Sequence, residues 1–205
     1  TLSPIRILCG CRSTTFCPNT TFRPHPPSSD GYNVLRSASP SAPGTLPLSH
    51  PTGRSVRDLG GEWHYIIDPQ RLGIIDPIGR FNFSADEPDR TEPLTEYSWD
   101  DSPKMRIPSD WNSQLRELAW YDDMVWFRRT VDVEPRPGRR YFLYFEAVNY
   151  HAHVYLNGSK LGEHEGGFTP FAFEVTAQLK PGSNSLVVAA DARHDAQTVP
   201  NAIYD

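Results

Sequence analysis

Two histidines one residue apart are the first candidates for chemistry in this sequence of 205 residues. His151 and His153 lie in a run of alternating residues, so on a β-strand both imidazoles would point to the same face, where they could share a metal ion. No third ligand follows at a spacing typical of a metal site. We therefore interpret the two histidines as polar residues on the outer face of a sheet and predict no metal site.

Three cysteines near the start of the chain are the other potential metal ligands. The spacing of Cys9, Cys11 and Cys17 matches no standard zinc pattern, and an odd number of cysteines is weak evidence for a disulfide framework. They also lie far along the chain from the histidines, which argues against a Cys–His nucleophile pair. The sequence therefore predicts neither a metal nor a cofactor.

Paired carboxylates are the remaining route to catalysis. A retaining glycosidase needs two carboxyl groups about 5–5.5 Å apart. Adjacent residues on a strand face opposite sides, which excludes Asp100-Asp101 and Asp122-Asp123. Glu163 and Glu165 share one side, but acids at a strand end are far more often solvated surface groups. Because the sequence also lacks a G-x-S-x-G motif and a glycine-rich phosphate loop, we predict no catalytic residue.

The dense aromatic residues leave two interpretations open. Sugar rings stack on exposed Trp and Tyr side chains, so these residues could form a carbohydrate-binding surface. Each aromatic also buries a large area, so most of them could instead form the core. Composition and spacing do not choose between the two. The residues concerned are Trp99, Trp111, Trp120, Tyr121, Trp126, Phe127, Tyr141, Phe142, Tyr144 and Phe145.

From Arg54 onward the sequence consists of short runs of alternating residues that are separated by turn residues. These runs position the side chains named above. In residues 125–133 alternate side chains share one face, which is the period of a strand. Residues 185–191 are almost continuously apolar and indicate a strand buried on both faces. Only residues 112–119 and 175–179 have a helical pattern. The sequence therefore predicts an all-β fold, an antiparallel β-sandwich.

Two connections between these strands are predicted to be hairpin turns. Asn157-Gly158 is the stronger signal, because both residue types tolerate the positive φ angles of a type I′ turn. The string Pro-Arg-Pro-Gly at residues 135–138 separates two strand-like runs and is predicted to form a second hairpin loop.

The composition changes near residue 54. Nine of the twenty prolines precede it, in Pro- and Ser-rich stretches that bury too little apolar surface to offset the entropy of ordering. We therefore predict that residues 1–53 form a disordered leader.

Charge and hydropathy exclude two classes of partner. The net charge of −5 argues against nucleic acid, because phosphate binding needs clustered Lys and Arg. No run approaches the roughly 18 apolar residues of a membrane-spanning helix. Sequons at Asn19, Asn82 and Asn157 favour an extracellular or secretory location, but such short patterns also arise by chance, so the compartment stays open.

Several strings, in order along the chain, carry a family resemblance. His164-Glu-Gly-Gly-Phe-Thr-Pro-Phe171, preceded by Val154-Tyr-Leu-Asn-Gly158, closely resembles the N-terminal sugar-binding domain of glycoside hydrolase family 2, its β-glucuronidase branch in particular. The resemblance covers about residues 54–205, which we predict to be one domain. The further strings in the family's order are Asp58-Leu-Gly-Gly-Glu-Trp63, Ile107-Pro-Ser-Asp-Trp-Asn112, Val125-Trp-Phe-Arg-Arg129 and Gly182-Ser-Asn-Ser-Leu186.

The resemblance implies both a fold and a function. Family members begin with a jelly-roll-like β-sandwich and continue into an immunoglobulin-like domain and a (β/α)8 barrel, which carries the two catalytic glutamates. This chain includes neither later domain and has no Asn-Glu dipeptide of the kind that marks the acid/base residue. The implied function is a non-catalytic sugar-binding domain, as a fragment, of a retaining exo-β-glycosidase. Its partners would be the catalytic barrel and a terminal β-linked glucuronide or galactoside.

Two alternatives remain beside this function. The chain could be a self-sufficient carbohydrate-binding module, because a fold does not settle a function. It could also be a truncated gene product with no function of its own.

The resemblance assigns one site residue. In the family, an Asp before an aromatic-aromatic-Asn-Tyr-Gly segment contacts the sugar hydroxyls, and the ending Val199-Pro-Asn-Ala-Ile-Tyr-Asp205 resembles the approach to that segment. Asp205 is therefore the predicted substrate-binding residue. The other motif residues are expected to be structural. Gly166 and Gly167 would provide unusual backbone conformations, and the sandwich would be packed by Trp63, Trp126, Phe168 and Phe171.

Overall fold

A computed structural model describes Leu2 and residues 5–11, 55–75 and 98–193. These residues form ten strands, two short helices and one 3-10 turn at Arg116–Leu118. In this part of the chain no helix is long and apolar enough to cross a membrane. The strands are β1 Ile5–Cys11, β2 Ser55–Asp58, β3 Gly61–Asp68, β4 Lys104–Ile107, β5 Met124–Val133, β6 Arg139–Phe145, β7 His151–Leu156, β8 Ser159–Glu165, β9 Phe171–Glu174 and β10 Gly182–Asp191, and the helices are α1 Leu72–Ile75 and α2 Trp111–Gln114.

The strands form two antiparallel sheets that share one core. The smaller sheet has the order β2-β1-β6-β9, and the larger sheet has the order β4-β3-β5-β10-β7-β8. Buried side chains from both sheets, such as Phe145 and Phe127, belong to one hydrophobic cluster between them. The predicted all-β sandwich is confirmed.

A second, smaller cluster covers part of the outer face of the larger sheet. Along β10, Leu186 and Val188 belong to the core between the sheets, whereas Val187 and Ala189 pack with Trp126 on the opposite face. This confirms the prediction that residues 185–191 are buried on both faces. The strand lies between β5 and β7, so both of its edges are paired as well.

The two predicted hairpins have different outcomes. Asn157 and Gly158 adopt φ angles of 52° and 78° and join β7 to β8, which pair antiparallel. The prediction for residues 135–138 is wrong, because β5 pairs with β3 and β10 while β6 pairs with β1 and β9. The loop therefore crosses from one sheet to the other. Alternation shows that a strand has one buried face but does not show which strand lies beside it.

The predicted disordered leader differs from the structure at its start. Ile5–Cys11 forms β1, a central strand of the smaller sheet, and pairs with both β2 and β6. Ile5 is fully buried, and Leu2 bridges to Ser109 and Val148. The ordering entropy of this segment is offset by pairing with strands more than 40 residues away, which local composition does not reveal. Residues 12–54 lie outside the described part of the chain.

Candidate functional site

The family strings at residues 58–63 and 125–129 contact each other. Nη1 of Arg129, on β5, donates hydrogen bonds to the carbonyl oxygens of Leu59 at 2.8 Å and Gly60 at 2.6 Å. Its guanidinium carbon lies 6.0 Å from the centroid of the Trp63 ring. Trp63 is fully buried and donates from Nε1 to the carbonyl of Leu59. These residues are structural, as predicted for Trp63.

The Ile-Pro-Ser-Asp-Trp-Asn string fixes the loop between β4 and β5. Asp110 caps α2 by accepting from the backbone N–H of Ser113 at 2.7 Å. Burial alone would raise the pKa of Asp110, but the hydrogen bonds from Ser113 outweigh it and lower the pKa. Trp111 is buried and donates from Nε1 to the carbonyl of Tyr121, to which Asn112 also donates. This anchored loop leaves the preceding side chain, Trp120, 97% exposed.

The His-Glu-Gly-Gly-Phe-Thr-Pro-Phe string forms the loop between β8 and β9. Gly166 has a φ of 123°, which side chains rarely adopt, and this confirms the structural role predicted for it. Gly167 is constrained by space instead, because a Cβ there would lie 2.7 Å from Oδ1 of Asn149. His164 stacks on Phe171 at 4.1 Å between ring centroids, which ties the two ends of the loop together.

The two phenylalanines of this loop point to different environments. Phe171 is buried and stacks on Phe145 with ring centroids 4.6 Å apart, as predicted. Phe168 is 95% exposed, so the prediction that it packs the sandwich is wrong. Gly166 has a positive φ, and Gly167 lies close to Asn149. Together they turn the backbone so that the side chain of Phe168 points away from the core.

Trp120 and Phe168 extend from loops at the same end of the larger sheet. In the strand register Met124 pairs with Asp191, Asp191 pairs with His151, and His151 pairs with Glu165. β5 and β7 therefore begin where β8 and β10 end. The loops before β5 and after β8 open at this end, and the chain leaves β10 from the same place. We call this end, with Trp120 and Phe168, the aromatic rim.

Most of the aromatic residues named from the sequence are buried in the structure, which favours the core over a carbohydrate-binding surface. The aromatic side chains on the strands are largely core, which leaves Trp120 as the exposed exception among the residues named from the sequence. Trp126 is buried as predicted, but in the outer cluster rather than between the sheets. The buried members are Trp99, Trp111, Trp126, Phe127, Tyr141, Phe142 and Phe145.

Three of the six acidic residues weighed for catalysis contact basic groups. Asp100 lies 3.3 Å from Arg128, and Asp123 lies 3.3 Å from Arg193. Glu163 contacts Lys160. These ion pairs agree with the interpretation of the acids as structural or surface groups.

Glu163 also meets both histidines that the sequence singled out. Its Oε2 lies 3.3 Å from Nε2 of His151, and its Oε1 lies 3.4 Å from Nδ1 of His153. Burial, with the charge of His151 second, lowers the pKa of His153 to about 4, so this imidazole is neutral at pH 7. Linear spacing missed Glu163 because it faces His153 across the β7–β8 pair rather than along the strand.

A shallow depression of about 370 Å³ lies elsewhere, between β3 and the turn before β4. Its lining includes Tyr65, Asp101 and Ser102. It includes none of the residues predicted to bind sugar. Asp205 itself lies outside the described residues.

Comparison with known proteins identifies the fold family. Residues 105–201 match the family model described as the glycosyl hydrolase 2 galactose-binding domain-like domain. These residues, just under half of the chain, are thus similar to a domain of glycoside hydrolase family 2. The match runs from β4 through β10 and so includes the aromatic rim and both of its loops.

Relatives of this family 2 domain include β-glucuronidases and a β-galactosidase. A β-glucuronidase of Paenibacillus borealis is 29% identical over 152 residues, which is 72% of this chain and 23% of the relative. A β-galactosidase of Thermoanaerobacter pseudethanolicus is 37% identical over 83 residues, which is 39% of this chain and 11% of the relative.

A solved structure agrees with these relatives. The β-glucuronidase of Bifidobacterium dentium, complexed with coumarin-3-O-glucuronide, has a TM-score of 0.52 and 33% identity. The match covers 69% of this chain and 21% of that one. The chain thus spans less than a quarter of the length of each of these three proteins.

Proposed function

We propose that this chain is the non-catalytic N-terminal sugar-binding part of a retaining exo-β-glycosidase of the β-glucuronidase type. The observation that carries the proposal is the family 2 match over residues 105–201, combined with relatives that are named β-glucuronidases and are matched over less than a quarter of their length. The domain consists of residues 54–205, to which the leader adds β1.

The aromatic rim supports a role in assembly. Exposed apolar area that is concentrated in one part of a folded domain is typical of contact surfaces. Trp120 and Phe168 are the two most exposed large apolar side chains of the described residues, and both extend from loops at one end of the larger sheet. We propose that this end faces the catalytic barrel and the terminal sugar of the complete enzyme.

Asp205 follows the chain's exit from β10 and is the proposed sugar-binding residue. A carboxylate suits this role, because it accepts two charge-assisted hydrogen bonds from neighbouring hydroxyls. The two catalytic carboxylates would come from the barrel. Among the described residues, three of the acids considered for that role, Asp100, Asp123 and Glu163, pair with Arg128, Arg193 and Lys160.

The test compares the 205-residue chain with the complete enzyme from the extended reading frame. Only the complete enzyme is expected to hydrolyse 4-nitrophenyl β-D-glucuronide. In it, Asp205→Asn should lower kcat/KM by roughly 10- to 100-fold through the loss of charged hydrogen bonds. Asp101→Asn, a change to an exposed acid in a turn, is the matched control and should change nothing. Hydrolysis by the 205-residue chain alone contradicts the proposal.

A second candidate is a self-sufficient carbohydrate-binding module, and the 97% exposure of Trp120 is the observation that favours it. A sugar ring could stack on this indole without help from another domain. Titration calorimetry of the 205-residue chain with methyl β-D-glucuronide and methyl β-D-galactoside separates the two functions. Heat of binding that disappears in Trp120→Ala favours the module, whereas no heat with either sugar favours the domain that needs its barrel.

A further inference from the structure

A cluster on the edge of the larger sheet has no part in the proposed sugar function. It consists of His151 and His153 on β7 and Glu163 on β8, the edge strand of the larger sheet. One potential ligand atom from each residue lies within 4.8 Å of the other two. The side chains lie on the outer face, since the intervening Ala152 belongs to the core between the sheets.

His153 is the member of the cluster that most needs an explanation. It is 4% exposed, yet neither of its ring nitrogens has a hydrogen-bond partner. Nδ1 of His153 lies 3.4 Å from Oε1 of Glu163, but this contact lacks hydrogen-bond geometry. A buried polar nitrogen without a partner costs free energy, so such groups in native proteins usually meet a ligand, a water molecule or an ion.

The distances from the Glu163 carboxylate to the two histidines are in the range found between the ligands of a tetrahedral metal ion. With metal–ligand bonds of about 2.0–2.2 Å, two ligand atoms on a tetrahedron lie about 3.3–3.6 Å apart. Oε2 of Glu163 lies 3.3 Å from Nε2 of His151, and Oε1 of Glu163 lies 3.4 Å from Nδ1 of His153. The side chains of His151 and Glu163 are 32% and 43% exposed, so an ion can enter and a water molecule can complete the coordination.

We propose that His151, His153 and Glu163 bind a divalent first-row transition metal ion, with Zn²⁺ as the best match. Two imidazole nitrogens and one carboxylate oxygen form a donor set that zinc accepts, with a fourth position open to water. All three ligands come from one hairpin, so the metal would link the edge strand β8 to β7. The site is therefore structural, and it is independent of the proposed sugar function.

Lys160 acts as an internal competitor in this site. Its ammonium contacts Oε1 of Glu163, the same oxygen that lies nearest His153. A cation that binds here must displace that ammonium. Removing the positive charge of Lys160 should therefore strengthen metal binding, whereas an ordinary surface ion pair predicts no such gain.

The experiment is titration of the 205-residue chain with ZnCl₂ by calorimetry. Cys9, Cys11 and Cys17 are changed to Ser in the parent and in every variant, because thiolates bind zinc themselves. Glu163→Gln and His151→Gln should each weaken binding of one zinc ion at least tenfold. Lys160→Gln should tighten it roughly two- to fivefold. Glu62→Gln, a change to an exposed acid on β3 of the same sheet, is the matched control and should leave the affinity unchanged.

The melting temperature of the domain provides a second measurement. Zinc should raise the melting temperature of the parent and of Glu62→Gln but not that of Glu163→Gln, whose partly exposed side chain can be replaced without unfolding the domain. Zinc affinity and melting shift that are equal in the parent and in Glu163→Gln would overturn the proposal. So would a parent chain that binds no zinc at millimolar concentration, or a Lys160→Gln variant that binds zinc more weakly.

Discussion

Asn157 shows how a single residue can serve a turn and a network at once. Its positive φ builds the β7–β8 turn, and its side chain is fully occupied. Nδ2 donates to the carbonyl of Gln178 and to Oδ1 of Asn184, and Oδ1 accepts from the N–H of Ser185. The Asn-Gly-Ser sequence is thus explained by the fold, without a glycan at this position.

Replacing this side chain should destabilise the domain. Asn157→Ala removes three hydrogen bonds and puts a less tolerant residue at a φ of 52°, so we expect a loss of about 2–3 kcal/mol in the free energy of unfolding. Chemical denaturation measures it. Ser159→Ala is the matched control, because it also abolishes the sequon but changes an exposed side chain. Equal stability of the two variants would contradict the role given to Asn157.

The contribution of Asp110 to the stability of the domain should depend on pH. Its pKa in the folded state lies below the unfolded value near 3.8, so its stabilisation is complete above that value and is lost as the pH falls through the folded pKa. Asp110→Ala should cost about 0.5–2 kcal/mol at pH 7. The difference from the parent should shrink below pH 4. Asp101→Ala is the control, and a difference for Asp110→Ala that stays constant down to pH 2 would contradict the argument.

For the strands, local sequence signals predicted where each strand lies better than they predicted which strands pair with each other. The φ requirement of Asn157-Gly158 acts within two residues, so the sequence reveals that hairpin directly. The loop at residues 135–138 joins two strands just as closely in sequence, yet each strand pairs in a different sheet. Which strands become neighbours depends on the burial of whole faces across the chain, and that information is not local.

β1 is the element that local composition concealed, and it can be tested by one buried side chain. Ile5→Ala should lower the free energy of unfolding by about 2–4 kcal/mol, because Ile5 is fully buried in the core between the sheets. Arg6→Ala, next to it but half-exposed, removes an ion pair to Glu146 and should cost about 1 kcal/mol or less. If the leader were disordered, both variants would be as stable as the parent.

Across the whole molecule, the solvent exposure of individual side chains was the property that the sequence predicted least well. Trp111 and Trp120 lie nine residues apart in one loop region, but only Trp111 finds a buried hydrogen-bond partner, the carbonyl of Tyr121. Phe168 and Phe171 also differ in exposure, because only Phe171 is buried. The histidine–glutamate cluster was also hidden, because Glu163 reaches His153 across the sheet. Each of these depends on tertiary packing, which residue spacing does not encode.

The aromatic rim should affect association without affecting the fold. The double variant Trp120→Ser, Phe168→Ser should keep the melting temperature within about 2 °C of the parent, because substitutions of exposed side chains cost about 0.5 kcal/mol or less. Its self-association, measured by light scattering during size-exclusion chromatography, should fall as apolar surface is removed. Phe171→Ser, which changes the buried first residue of β9, should melt much earlier. A double variant that melts as early as Phe171→Ser would contradict the surface role.

Sequencing the transcript through the codon for Asp205 and beyond would show whether this domain is part of a longer family 2 glycosidase, as we propose. We expect the frame to continue into two aromatic residues followed by Asn-Tyr-Gly, and then into a barrel with its catalytic glutamates. That result would make Asp205 part of the sugar site. A stop codon directly after Asp205 would contradict the account.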